Sequence, residues 1–206
     1  MKLEHTQDSA DHSKACGYSR EGAIRTALAT WLAVKHATDA STVLIHELDI
    51  PRPSGRVDVA LINGLLAGYE IKSEVDSFAR LQMQQASFSS VFERMTLVVT
   101  GCHTRAAPSA VPPWWEILEA RGSNFKVIRR GRANPNLNLE NLLYVLNKSE
   151  LLRVEDKLKF ELTSAKRKKS EIIDSILSVR QVRRTLSLSR ETLKRRASGR
   201  LSERDV

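Results

Sequence analysis

Two apolar runs, Arg56-Val57-Asp58-Val59-Ala60-Leu61-Ile62 and Leu65 to Ser73, flank the dipeptide Asn63-Gly64. Asn-Gly between β-rich segments is a strong short-range hairpin signal, because both residues tolerate the left-handed backbone that a tight reversal needs. The runs also carry charge where a buried sheet tolerates little of it: Asp58 in the first, Glu70 and Lys72 in the second. Residues i and i+2 of a strand share a face, so Glu70 and Lys72 do. Ionisable groups are costly to bury unpaired, so these three either neutralise one another or enclose a cation.

Register decides whether Asp58 joins them. A two-residue turn at Asn63-Gly64 pairs Ile62 with Leu65 and Asp58 with Tyr69, which puts Asp58 on the opposite face. A three-residue loop, Ile62 to Gly64 with Gly64 in a left-handed bulge, pairs Leu61 with Leu65 and sets all three groups on one face. The expected hairpin is the bulged one. Two carboxylates so placed suit Mg2+ or Mn2+, with water and substrate oxygens completing the octahedron. A lysine ammonium beside them orients the attacking water or neutralises charge at a phosphoryl group. The alternative is a strand ion pair of Glu70 with Lys72 or Arg56 and an edge-exposed Asp58.

Around the hairpin, periodicity predicts the rest. Ile24, Ala27, Leu28, Trp31 and Leu32 recur at helical spacing, giving a helix over 19–36 with Ser19 as N-cap. Thr42 to Leu48 reads as a strand that ends at the Pro/Gly-rich stretch 51–55. Asp76 or Ser77 caps a helix through about residue 90, and Met95 to Thr100 is short and apolar enough for a buried strand. Residues 108–115 read as loop, 116–121 as a short helix, and 125–129 as an edge strand. The order helix, three strands, helix, strand gives an α/β class with a mixed sheet. From Asn136 to Ser198 there is neither Gly nor Pro, and apolar pairs keep helical spacing, so that stretch is expected to be all helix. The expected division is a flexible 1–17, a core over 18–135, a basic helical part over 136–198 and a disordered tail over 199–206.

Composition excludes several classes. With 41% apolar and 28% charged residues among 206, the chain is neither disordered, collagen-like nor disulfide-stapled. It contains no apolar run long enough to cross a bilayer, and Met1 to Lys14 is polar rather than leader-like, so a cytoplasmic location is expected. Cys16 and Cys102 lack metal-ligand spacing and read as ordinary thiols. Charge is uneven: residues 153–206 hold 16 Lys/Arg against 8 Asp/Glu, a net +8, while the rest carries +1. A near-neutral body with a basic end points to a polyanionic partner, because clustered cations gain by releasing counterions from phosphate.

At Asp58, Glu70 and Lys72 the sequence resembles the PD-(D/E)XK nuclease superfamily. That resemblance implies a restriction-endonuclease-like core of order α-β-β-β-α-β, here with a helical C-terminal extension. More narrowly, Arg56-Val57-Asp58, Gly68-Tyr69-Glu70-Ile71-Lys72-Ser73, Asp76, Arg80-Leu81-Gln82-Met83-Gln84 and Val111-Pro112-Pro113-Trp114-Trp115 look like a bacterial family of small members of that superfamily. Val57 stands where Pro is usual, and Glu116 follows the tryptophans where Gly is expected. By resemblance, Asp58 and Glu70 hold the metal, joined by Glu21 of the first helix, and the products carry 5′-phosphate and 3′-hydroxyl ends. Gln84 followed by Phe88 is similar to the Gln-x-x-x-Tyr element of RecB-like nucleases, whose Gln lies near metal and substrate.

Other residues have plainer readings. Glu21 also suits the helix dipole, Glu47 either reaches the site or pairs with Arg52 or Arg56, and Asp76 reads as a helix cap. His46 and His103 read as structural, no Walker-type loop occurs, and Trp114 and Trp115 read as packed onto the domain. DNA contacts are expected from Arg56, from Arg129, Arg130 and Arg132, from Lys168 and Lys169, and from Arg183, Arg184, Lys194, Arg195 and Arg196. Such contacts fix orientation without reading sequence. The expectation is a Mg2+- or Mn2+-dependent deoxyribonuclease that cuts phosphodiester bonds endonucleolytically; the alternative is a DNA-binding protein or regulatory subunit on the same fold without catalysis. Cutting two strands would call for a homodimer or a partner protein.

Overall fold

The computed structural model describes residues 21–159 and 166–204. Ser19, Cys16 and the expected flexible N-terminus lie outside them. The element order is α1 (Glu21–Lys35), β1 (Val43–Pro51), β2 (Ser54–Asn63), β3 (Leu65–Lys72), α2 (Ala79–Val91), β4 (Arg94–Val99), α3 (Ala107–Ala110), β5 (Glu116–Arg121), β6 (Asn124–Arg129), α4 (Leu139–Val145), α5 (Lys148–Lys159), α6 (Lys169–Ser178) and α7 (Val182–Arg204). One mixed sheet runs in the order β1-β2-β3-β4-β5-β6. Its β1–β2–β3 and β5–β6 pairings are antiparallel, and β4 is parallel to both neighbours. The fold is α/β, with the expected α-β-β-β-α-β order and a helical C-terminal region.

Each face of the sheet has its own cover. Ile24, Leu28 and Leu32 of α1 pack on Val59, Leu61, Tyr69 and Ile71. The other face, with Ala60, Ile62, Leu66 and Leu97, lies beneath Leu81 and Phe88 of α2. Leu142, Leu151, Ile172 and Leu193 of α4–α7 join the same cluster, so the helical extension shares a core with the sheet. Trp115 is fully buried and Trp114 nearly so, both inside that cluster as expected.

Several expectations are corrected. The hairpin pairs Asn63 with Leu65 and Leu61 with Ala67, leaving Gly64 alone at the turn with φ 65°. This shift of two residues from the expected register keeps the alternation of faces, which a shift of one would have reversed. The segment 116–121, whose Glu, Leu and Ala favour helix, is instead strand β5, paired between β4 and β6. Helix α2 starts behind Phe78 without a side-chain cap. Asp76 instead takes the N–H and hydroxyl of Ser73 at 2.8 and 2.6 Å, closing a turn at the end of β3. Helix α7 continues to Arg204, through most of the expected disordered tail.

Candidate active site

The β2–β3 ladder ends at Val59 and Tyr69. One step further, the Ile71 N–H donates to Asp58 Oδ2 at 2.6 Å, so a side chain replaces the backbone acceptor and the strands part. On the other side of β2, Glu47 of β1 has φ 53°. Core membership changes there: Ile45 and Leu48 in β1, and Val57 and Ala60 in β2, all join the α2-side cluster although each pair is three residues apart. A residue held at positive φ interrupts the two-residue alternation of a strand. The interruption leaves Glu47 and Asp58 lining a cavity of about 440 Å3 together with Glu70 and Lys72.

Within this cavity Lys72 Nζ donates to Glu70 Oε1 at 2.7 Å, and both groups are buried. Burial, then the neighbouring Asp58 charge, pushes the Glu70 carboxyl up to about 7 against the pull of Lys72. Burial raises Asp58 as well, opposed by the Ile71 N–H. Glu70 Oε2 and Gln84 Oε1 are buried without a hydrogen-bond partner among the described residues. Glu21, Arg25, Arg56, Asp76 and Arg80 complete the polar lining, with Ile71 beside them.

The donor set fits a hard divalent cation. Asp58 and Glu70 supply carboxylate oxygens from adjacent strands, and two acceptor oxygens, Glu70 Oε2 and Gln84 Oε1, have no hydrogen-bond partner among the described residues. Among the described residues no group of three or more His, Cys, Asp or Glu forms a metal-binding set by itself. Mg2+ is commonly held by one or two carboxylates with water and substrate oxygens completing its shell.

Arg25 was not singled out by the sequence patterns. Its guanidinium reaches Glu47 Oε1 at 3.2 Å and Asp58 Oδ1 at 3.4 Å, and it also pairs with Glu21 one turn back. The signal for it was the stripe Glu21, Arg25, Leu28, Leu32, whose spacing puts an arginine on the sheet-facing side of α1. Glu47 pairs with Arg56 at 3.6 Å, as one of its two readings had it. His103 Nε2 donates to the Ser73 carbonyl at 3.0 Å, and the ring packs on Phe78, a structural role.

The basic residues divide. Arg129 donates to the carbonyls of Trp115, Pro108 and Pro112 at 3.0, 3.1 and 2.7 Å, and its burial lowers its pKa, so it clamps a loop rather than facing a phosphate. Arg196 is likewise committed, to both Glu150 oxygens and the Val145 carbonyl. Lys169 donates to the Tyr144 carbonyl at 2.7 Å, Arg184 to that of Lys157 at 2.8 Å, and Lys194 to Ser41 Oγ at 3.0 Å. Arg195 pairs with Glu191 while remaining exposed. Arg130, Arg132, Lys168 and Arg183 are exposed.

No helix among the described residues is long and apolar enough to cross a membrane. Comparison with known proteins gives a family. The solved structure of SPO1766, a protein of unknown function from Silicibacter pomeroyi, matches 68% of this chain and 94% of that one at 18% identity, with a TM-score of 0.39. Protein cII of Enterobacteria phage P4 is 36% identical over 136 residues, which cover 64% of this chain and 51% of that protein. The chain thus spans about half the length of this curated relative. A family model described as Bacteriophage P4 protein cII matches residues 14–200, from ahead of α1 into α7 and so through every element that lines the cavity, and the chain belongs to that family.

Proposed function

We propose that the protein is a divalent-metal-dependent nuclease that hydrolyses DNA phosphodiester bonds endonucleolytically, on a PD-(D/E)XK-like site. The observation that carries this reading is the convergence of Asp58, Glu70 and Lys72 in one polar cavity, with Glu70 Oε2 buried and without a hydrogen-bond partner among the described residues. Asp58 and Glu70 would hold Mg2+ or Mn2+, and Gln84 offers a further oxygen. When bound, the cation supplies Lewis-acid stabilisation of the charge that builds on the phosphoryl oxygens. Lys72 is fixed by Glu70 and carries a compact ammonium with three donors, suited to hold a water or a phosphoryl oxygen in line. Arg56 and Arg80 are exposed on the cavity lining and can take flanking phosphates.

The test is incubation of wild type, Asp58→Ala and Lys72→Ala with supercoiled plasmid and with linear single-stranded DNA, in EDTA, Mg2+ or Mn2+. Metal-dependent nicking by wild type, lost in both variants, is expected. DNA retarded by all three proteins but cut by none would replace this reading with that of a DNA-binding protein without catalysis.

A further inference from the structure

Arg25 differs from the structural arginines of this fold in how it is satisfied. Arg129 and Arg196 spend their donors on carbonyls and on a paired carboxylate. Among the described residues Arg25 instead reaches only carboxylates, those of Glu21, Glu47 and Asp58 from three different elements, all lining the cavity. Its hold on Asp58 is long at 3.4 Å, and its Nε is buried without an acceptor among the described residues. Arg167 Nε is likewise buried without an acceptor among the described residues, so what sets Arg25 apart is its three carboxylate partners in one cavity.

Asp58 has two oxygens, and Oδ2 is taken by the Ile71 N–H. Oδ1, which takes no backbone N–H, is the oxygen more open to a cation, and it is the one Arg25 faces. Glu21, which the resemblance makes a metal ligand, is bound to Arg25 instead. Helix α1 therefore brings to this pocket a cation as well as an acid. We infer that Arg25 is a built-in counter-ion that competes with the divalent cation for Asp58, and that Glu21 and Glu47 anchor it so that it withdraws from Asp58 without leaving the site. This rests on the metal-dependent reading of the site and adds a residue that tunes how readily the metal enters.

Titration calorimetry of Mn2+ into the full chain, without nucleic acid and at fixed pH and ionic strength, tests it. Removing a positive charge close to a divalent ion strengthens binding, so Arg25→Gln is expected to bind Mn2+ about tenfold more tightly than wild type. Arg25→Lys keeps the charge but offers one ammonium in place of a fork, and is expected to fall between the two. Melting curves without metal verify that each variant is folded; if Arg25→Gln is not, Arg25→Lys against wild type decides in the same direction. Mn2+ bound equally or more weakly by the variants overturns the competition and leaves the nuclease reading standing. Mn2+ bound by none of the folded proteins overturns both.

Discussion

Glu70 is the residue on which the site's electrostatics turn. Its carboxyl is raised to about 7 from an ordinary value near 4.5, first by burial and then by Asp58. Between those two values the folded protein keeps a proton that the unfolded chain releases, so its contribution to stability is complete below about pH 4.5 and fades as pH rises towards 7. For metal-free protein, Glu70→Gln is expected to remove this slope. The variant should be more stable than wild type at pH 8, by on the order of 2–3 kcal/mol, with the advantage shrinking towards pH 5. Denaturant titrations at several pH values check it; parallel wild-type and variant profiles would refute the account. Asp58, Glu70 and Lys72 were legible in the sequence because charges inside apolar strands have few structural excuses. Arg25 was not, since Glu21 and Arg25 at i and i+4 also make an ordinary helix-surface ion pair.

Among the elements, the hairpin was legible through Asn63-Gly64, and its register only in part. Parity follows from which face is buried, whereas loop length depends on local backbone energies that differ little between neighbouring solutions. Gly64 has φ 65°, and open space surrounds the position of a Cβ, so the cost of substitution there is backbone strain alone. Gly64→Ala is expected to lose roughly 1–2 kcal/mol of stability and Gly64→Asn less, since Asn tolerates the left-handed region, as thermal melts would show. Strand β5 was illegible because Glu116-Ile117-Leu118-Glu119-Ala120-Arg121 prefers helix locally and is made a strand by its neighbours β4 and β6. The positive φ of Glu47 leaves no mark in sequence either, being set by the pairing of β1 with β2 around Asp58.

For the whole molecule, the excess charge of residues 153–206 overstated the surface available to a polyanion. Arg196 and Lys169 are drawn into the junction of α7, α6 and α4, where they fasten helices to one another. If DNA is the partner, Lys168→Ala and Arg183→Ala should each reduce the slope of log affinity against log salt by up to about one, with little effect on melting. Arg129→Ala and Arg196→Ala should do the reverse, losing on the order of 1–3 kcal/mol of stability through stranded carbonyls and an unpaired Glu150. Binding isotherms at several salt concentrations, set beside melting curves, separate the two groups. Glu93 joins these regions: its carboxylate takes the Leu66 N–H at 2.8 Å and Arg190 of α7 at 2.9 and 3.0 Å. From Leu66, β3 runs six residues further to Lys72. The basic helix and the cavity are therefore the two ends of one strut, roughly 20 Å of strand in length. A load applied to α7 at Arg190 is carried through Glu93 along β3, so the span between that helix and Lys72 is set by the frame of the sheet.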